Sequence, residues 1–190
     1  MYSWQDRFII NGQEAEWSVL DFWQYAYSDL NSDPRDMVAE FLVSHSLGLS
    51  ESINRQDWTV FDILYRNHQI EVKSTSYFQT WRKDGKVSLK RHFSIRQSQD
   101  DKKIVARHSV VYVFCILNGF TREEANALSI DNWDFYVAPT ALINEKCGEN
   151  KTISLGKVQK LSRKCSFLEI KEEIDRIIDD VEIRKEDHPQ

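Results

Sequence analysis

The sequence predicts a single α/β (α+β) domain with a central mixed β-sheet flanked by helices. The chain has 190 residues, which is the size of one ordinary domain. Segments with strand-like alternation are interspersed with segments of helical periodicity, and this order is typical of a sheet packed against helices. The run Val110 to Leu117 is nearly all apolar, as expected for a strand buried on both faces of a sheet.

We predict one domain over residues 1–190. Its core covers about 33–138, a C-terminal helix covers about 167–184, and the charged tail 185–190 is frayed.

The first third of the chain is predicted to hold a hairpin and two helices. The pair Asn11-Gly12 is a turn signal between two short strands, and a helix is favoured around 19–30. Asp33-Pro34 then begins a second helix, because Asp caps helix N-termini and Pro suits the first helical position. This helix ends near Leu47, and Gly48 stops it.

The remaining elements follow from β-branched, aromatic and amphipathic patterns. A hairpin is predicted from 58–65 and 69–76, joined by a polar turn. Thr121 and Glu124 form a capping-box pattern that predicts a short helix. Further strands are predicted at 91–96, 109–117, 133–137 and 151–155, and a last amphipathic helix at 170–181.

Composition excludes several classes of protein. No apolar run approaches the ~20 residues of a membrane helix, and no basic-then-apolar signal pattern opens the chain. The three cysteines are widely spaced without a Cys-x-x-Cys pair, which argues against a zinc knuckle or a disulfide framework and favours a reducing, cytoplasmic setting. Neither a Gly-rich phosphate loop nor a G-x-S-x-G elbow is present.

The net charge of −5 conceals an uneven distribution. The stretch from Arg82 to Arg107 carries a local charge of +6, and the rest of the chain carries −11. Clustered Lys and Arg suit contacts with a polyanion such as nucleic acid. A pair of solvated, basic loops would give the same pattern, so both interpretations stay open.

The strongest candidate for chemistry is the second hairpin. Glu71 and Lys73 are two residues apart on one strand and therefore share a face, and Asp62 lies on the preceding strand. Two carboxylates on neighbouring strands offer oxygen ligands to a hard cation such as Mg²⁺, and they must then lie within about 6 Å of each other. Lys73 would orient an attacking water and offset charge that builds on a phosphate.

Simpler explanations of these residues stay open. Acid-x-Lys triplets occur six times in the chain, so only the hairpin context distinguishes this one. Glu71 and Lys73 would also form a weak ion pair at a solvent-facing strand edge. Asp62 would also serve as a half-buried acid that accepts a hydrogen bond from a turn amide.

The order of a helix with an acid, a strand with Asp62 and a strand reading Ile-Glu71-Val-Lys73-Ser resembles the PD-(D/E)xK nuclease superfamily. The resemblance covers roughly 33–117 and implies the restriction-endonuclease-like fold. Phe61 stands where the family label has Pro. The resemblance implies a Mg²⁺-dependent (or Mn²⁺-dependent) phosphodiester hydrolase, with Asp62 and Glu71 as metal ligands and Lys73 as the catalytic lysine.

The resemblance and the basic stretch add further candidates. Glu40 on the second helix would join the metal ligands, as a helix acid does in many members, and Gln79 would lie near the active site as in some branches. Glu40 is equally explained as a surface acid and Gln79 as an ordinary amide. Aromatic side chains beside basic ones suit nucleic-acid contact. The contact candidates are Tyr77, Arg82, Lys90, Arg91 and Arg96.

Three hypotheses follow. The first is a small endonuclease or exonuclease that acts on DNA. The second is a non-catalytic nucleic-acid-binding or regulatory module that retains the nuclease-like fold. The third is an unrelated domain whose hairpin matches by chance. The intact Asp62, Glu71 and Lys73 favour the first hypothesis, and the acidic whole chain favours the second. The chain is short for a separate target-reading domain, so a homodimer or a partner protein would supply target recognition.

Overall fold

The computed structural model describes residues 2–31, 34–49, 61–78 and 91–187. These residues form a mixed α/β structure. Its helices are α1 (Val19–Ala26), α2 (Arg35–Ser46), α3 (Thr140–Cys147), α4 (Leu155–Leu161) and α5 (Ile170–Asp187). Its strands are β1 (Arg7–Ile10), β2 (Gln13–Ser18), β3 (Ile63–Tyr65), β4 (His68–Ser76), β5 (His92–Ser94), β6 (Ser98–Gln99), β7 (Val105–Ala106), β8 (Val111–Leu117), β9 (Trp133–Pro139), β10 (Thr152–Ser154) and β11 (Arg163–Cys165).

A five-stranded mixed sheet forms the centre of the fold, as the sequence predicts. Its strand order is β11-β9-β8-β4-β3. The central pair β4 and β8 runs parallel with Glu71 opposite Tyr112, and the other neighbours are antiparallel. Every residue of β8 is buried, which matches its continuous apolar sequence.

The two faces of the sheet bury separate apolar cores. On one face, Ile70 and Val72 of β4 pack with residues of α2 and α5. On the other face, Tyr112 and Phe114 of β8 pack with residues of α3, α4 and the β5–β10 ribbon. Side chains alternate along a strand, so Glu71 and Lys73 project toward the face of Tyr112, opposite to α2. This alternation places the candidate site on the α3–α4 side of the sheet.

Several predicted elements are present, and two helices were not predicted. Helix α2 ends at Ser46, and Gly48 follows with a φ of +76°, a conformation that suits glycine. Helices α3 and α4 were missed because each spans only eight or seven residues and shows little apolar periodicity. Helix α5 extends to Asp187, beyond the predicted end at 184.

The helix predicted at Thr121 is wrong. Thr121 Oγ1 does accept from the Glu124 backbone N–H (3.2 Å), and the Glu124 carboxylate accepts from the Phe120 N–H (2.8 Å). These capping bonds close a turn only, and residues 121–124 form turns rather than a helix. A helix gains most of its stability from an apolar face packed on a core. The core residues of this segment, Ala125 and Ala127, are two positions apart, and residues two apart do not share a helix face.

The N-terminal residues form a separate hairpin and helix. Asn11 and Gly12 have φ angles of +51° and +79°, and they connect β1 to β2 as the turn signal predicts. None of residues 2–28 is buried, although this segment is rich in aromatic side chains. In the described part of the chain, no helix combines the length and the apolar character needed to cross a membrane.

Candidate active site

The β3–β4 hairpin positions the three candidate residues. Arg66 and Asn67 have φ angles of +49° and +60°, as a tight two-residue hairpin turn requires. The turn fixes the register that pairs Ile63 with Ile70. The hairpin prediction is therefore confirmed for residues 63–76, and its predicted residues 58–60 lie outside the described part.

Asp62 lies where β3 stops pairing with β4. Its backbone N–H donates to the Ile70 carbonyl at 3.1 Å, which is the last bond of the ladder. Its carboxylate then accepts from the Val72 backbone N–H, with 2.7 Å between Oδ2 and N. A buried strand N–H without a partner is costly, and the Asp62 carboxylate accepts the bond that a carbonyl of a longer β3 would otherwise accept. Asp62 thus accepts a hydrogen bond from a backbone amide, as expected for a half-buried structural acid, and it also lines the candidate pocket.

Lys73 connects the two carboxylates. Its Nζ lies 3.7 Å from Asp62 Oδ2 and also contacts Glu71 Oε1. The exposed fractions of the three side chains are 23% for Asp62, 17% for Glu71 and 28% for Lys73. These charges are half-buried, so their interaction is stronger than that of a solvent-facing pair at a strand edge.

Burial and neighbouring charges shift two pKa values in this cluster. Burial, together with the negative charge of Asp62, raises the pKa of Glu71 above its ordinary value, and Lys73 only partly offsets this. Burial lowers the pKa of Lys73, but the charges of Asp62 and Glu71 outweigh it, so this pKa is raised. Lys73 therefore stays an ammonium at neutral pH and stabilises the two acids.

The cluster forms one wall of a pocket of about 250 Å³. Its other walls come from the segment between β5 and β8 and from Tyr112 on β8. The lining residues are Phe61, Asp62, Glu71, Lys73, Arg96, Ser98, Arg107, His108 and Tyr112. The pocket thus places two acids opposite several basic side chains, which suits a ligand that combines a cation with an anion.

The two carboxylates fit a magnesium ion in one particular mode. Among the residues that the structure describes, no group of three or more His, Cys, Asp or Glu side chains is arranged to hold a metal. Mg²⁺ in nucleotide enzymes is held by one or two carboxylates, while water and substrate phosphates complete its shell. Asp62 and Glu71 supply the hard oxygen ligands for this mode, and it needs no complete protein cage.

Glu40 is not brought into this pocket. It lies half-buried on α2, which packs against the Ile70 and Val72 face of β4, and it is not among the described pocket-lining residues. Another acid of α2, Asp36, lies one turn earlier and acts on the cluster. Asp36 accepts a hydrogen bond from Ser74 on β4, and its charge contributes to the raised pKa of Lys73.

Of the five predicted nucleic-acid contacts, Arg96 lines the pocket and is exposed. Arg91 is only 4% exposed. It donates from Nη2 to the Tyr77 carbonyl at 2.8 Å, and its guanidinium lies 5.0 Å from the centre of the Tyr77 ring. Tyr77 itself is half-buried and packs against the second core, so the structure buries Arg91 and leaves Tyr77 partly exposed. Gln79, Arg82 and Lys90 lie outside the described residues.

Five pocket residues were not identified as site residues from the sequence: Phe61, Ser98, Arg107, His108 and Tyr112. One signal was present, because Arg107 and His108 end the basic stretch directly before the most apolar strand. Alternation along β8 would have placed Tyr112 beside Glu71 only if the register of β4 against β8 were known. That register depends on a long crossover connection, which the local sequence pattern does not determine.

Comparisons of this chain with protein-family models, with curated proteins and with solved structures found no match.

Proposed function

We propose that this protein is a Mg²⁺-dependent phosphodiester hydrolase of the PD-(D/E)xK type, a nuclease acting on DNA, with its sheet arranged as in the restriction-endonuclease-like fold. The observation that carries the proposal is that Asp62, Glu71 and Lys73 line one pocket, with both carboxylates beside the same ammonium. The basic residues on the opposite wall support a phosphate substrate.

In this proposal Asp62 and Glu71 hold the metal ion, which would supply charge neutralisation and a more acidic water when bound. The Val72 N–H holds the Asp62 carboxylate in place through the 2.7 Å hydrogen bond. Glu71 must be ionised to act as a ligand, and a bound cation would favour that ionised form against the burial that raises its pKa.

Lys73 has a separate role. Its raised pKa keeps it protonated, so it acts as a fixed positive charge rather than as a base. A preorganised charge beside the reacting phosphate stabilises the negative charge that develops in the transition state. In the absence of metal, the same ammonium offsets part of the charge of the two acids.

The alternative is a non-catalytic nucleic-acid-binding or regulatory module with the same fold. It is favoured by the contact of Lys73 with both acids, which satisfies them without any metal. Under this alternative, the basic side chains of the pocket, such as Arg96 and Arg107, still bind a phosphate backbone, but added Mg²⁺ does not lead to cleavage of the bound nucleic acid.

A cytoplasmic location belongs to the proposal, since Cys115, Cys147 and Cys165 are all free and buried, as suits a reducing compartment. A homodimer or a partner protein that supplies target recognition stays a prediction.

The test is cleavage of plasmid DNA, linear duplex and single-stranded oligonucleotides by the purified protein, with Mg²⁺ or Mn²⁺ and with chelator. The proposal expects cleavage that needs the metal and that is lost in Glu71→Gln. The matched control is Glu172→Gln, an exposed acid on α5 at the opposite face of the sheet. Nucleic-acid binding without cleavage of any substrate would favour the binding module.

A further inference from the structure

The pocket wall opposite the two carboxylates contains a buried cation. Arg107 is only 7% exposed and lies shortly before β8, among the pocket-lining residues. Arg96 lines the same pocket and is exposed to solvent. The two side chains approach the pocket from the segment between β5 and β8, so they form a wall distinct from the β3–β4 hairpin.

Arg107 is held in place by three neutral acceptors. Its Nε donates to the Ile95 carbonyl (2.8 Å), Nη1 to Asn144 Oδ1 (2.7 Å) and Nη2 to the Asn150 carbonyl (3.0 Å). These bonds join β5, α3 and the loop before β10, and they fix the guanidinium in one orientation. A guanidinium carries more N–H groups than these bonds use.

Of the described acids that line this pocket, neither Asp62 nor Glu71 forms an ion pair with Arg107, and both pair with Lys73. Within the described residues, Arg107 forms no ion pair, and its hydrogen-bond partners are uncharged carbonyl and amide oxygens. Burying an unbalanced charge costs several kcal/mol or more, so such a group usually meets a counter-ion. An anion that enters the pocket would supply this counter-ion.

The surrounding groups leave room for an anion. His108 donates from Nε2 to the Ser98 carbonyl at 2.9 Å, and its Nδ1 faces Asp100 Oδ2 at 3.9 Å. His108 is therefore oriented by its own loop. Tyr112 also lines the pocket, on β8 opposite Glu71 in the register of the sheet. The pocket volume of about 250 Å³ suits one phosphate group with a cation and water.

We propose that Arg107, with Arg96 at the pocket rim, binds a phosphate group of the nucleic acid, beside the cation held by Asp62 and Glu71. The proposal deepens the nuclease function and rests on it for the identity of the substrate. The phosphate is either an internal phosphodiester or a terminal monoester. Both offer oxygen acceptors to a guanidinium.

The experiment measures binding of 3′-labelled single-stranded oligonucleotides in chelator, where no metal-dependent cleavage occurs, over a series of salt concentrations. The same sequence is used with a 5′-phosphate and with a 5′-hydroxyl. Arg96→Gln and Arg107→Gln are each expected to weaken binding by about 10-fold. Each should also reduce the salt slope, which is the slope of log affinity against log salt concentration, by about the amount that one phosphate contact contributes. Inorganic phosphate is expected to compete with the oligonucleotide for the wild type and more weakly for Arg107→Gln.

The controls separate an anion site from a structural role. Arg163→Gln removes an exposed arginine of β11 that pairs with Glu169, and it should leave the salt slope unchanged. If Arg107→Gln fails to fold by circular dichroism, Arg107→Lys and the exposed Arg96→Gln replace it. Arg107→Lys keeps the charge and should retain most of the slope but lose affinity.

Two outcomes support the site and distinguish its ligand. If the arginine variants lose more affinity for the 5′-phosphorylated strand than for the 5′-hydroxyl strand, the ligand is a terminal phosphate. If they lose equal affinity for both strands, the ligand is an internal phosphodiester. Unchanged salt slopes in folded Arg96 and Arg107 variants would overturn the inference, even if the wild type cleaves DNA. Conversely, altered slopes in a protein that cleaves no substrate would support the anion site and contradict the nuclease function.

Discussion

Lys73 Nζ lies 3.7 Å from Asp62 Oδ2 while it contacts Glu71 Oε1, so one ammonium is shared by two half-buried carboxylates and offsets part of their charge. The shared ammonium reduces the repulsion between the two neighbouring acids. It also couples Glu71 to Lys73, since Asp62 and Lys73 act on the pKa of Glu71 while both acids act on the pKa of Lys73.

The first prediction concerns the titration of Glu71. Its pKa should lie above the ordinary 4.5, because the side chain is buried beside Asp62. Asp62→Asn removes a negative neighbour and should lower this pKa, and Lys73→Met removes the stabilising cation and should raise it. Carboxyl ¹³C NMR of metal-free protein measures all three values. A wild-type Glu71 that titrates at or below 4.5 would show that its environment is not as described.

This shift also affects stability. Since the folded state holds the Glu71 proton to a higher pH than the unfolded state, the contribution of Glu71 to the free energy of unfolding falls as the pH rises from about 4.5 through the raised pKa.

The second prediction concerns Lys73. Lys73→Ala should reduce turnover by about 10²-fold or more, because it removes one preorganised charge at the transition state. The affinity for Mn²⁺ should not fall, since the two carboxylates lose a competing cation. Single-turnover cleavage and calorimetry on the same preparation measure both effects. Lys160→Ala, an exposed lysine of α4, is the control and should match the wild type. A Lys73→Ala protein with full activity would place the chemistry on other residues.

The third prediction separates Arg91 from the binding surface. Arg91 is buried and donates to the Tyr77 carbonyl at 2.8 Å, so its role is structural. Arg91→Gln should lower the free energy of unfolding by about 1–3 kcal/mol, as expected for loss of a charged buried hydrogen bond. Urea denaturation gives this value, and the salt slope of nucleic-acid binding should not change. Weaker binding with unaltered stability would instead assign Arg91 to the interface.

The fourth prediction concerns the N-terminal segment. Removing residues 1–28 should change the free energy of unfolding of the remaining chain by about 0.5 kcal/mol or less, because none of residues 2–28 is buried. Their described hydrogen bonds lie within the segment, such as the one from Val19 N–H to the Asp6 carbonyl. Chemical denaturation of both forms tests this. Loss of cooperative unfolding in the shortened chain would show that the segment stabilises the sheet.

Local sequence patterns predicted the elements that carry the site, and their limits have physical causes. The turn residues and the alternation of the hairpin place Glu71 and Lys73 on one face of β4, because side-chain direction in a strand has a fixed period. The apolar run of β8 likewise predicts a buried strand. These features depend on residues near one another in the chain.

The other half of the pocket depends on contacts between distant segments. Arg107 reaches the site only because Ile95, Asn144 and Asn150 hold it, and no local pattern encodes those bonds. Helix α2 shows the same limit. Its periodicity predicts the helix, but the packing of the helix on the sheet decides which of its acids act on Lys73, and Asp36 is one that does. Arg91 was expected at the surface because a charged residue is usually exposed.

The central claim is that Asp62 and Glu71 together hold a divalent metal ion, and calorimetric titration of Mn²⁺ into metal-free protein tests it most directly. We expect wild-type protein to bind Mn²⁺, with binding weakened in Asp62→Asn and Glu71→Gln and unchanged in Glu172→Gln. Binding should also weaken as the pH falls, because Glu71 must be ionised. Absence of Mn²⁺ binding to the wild type at neutral pH, or equal affinity in all four proteins, would contradict the account.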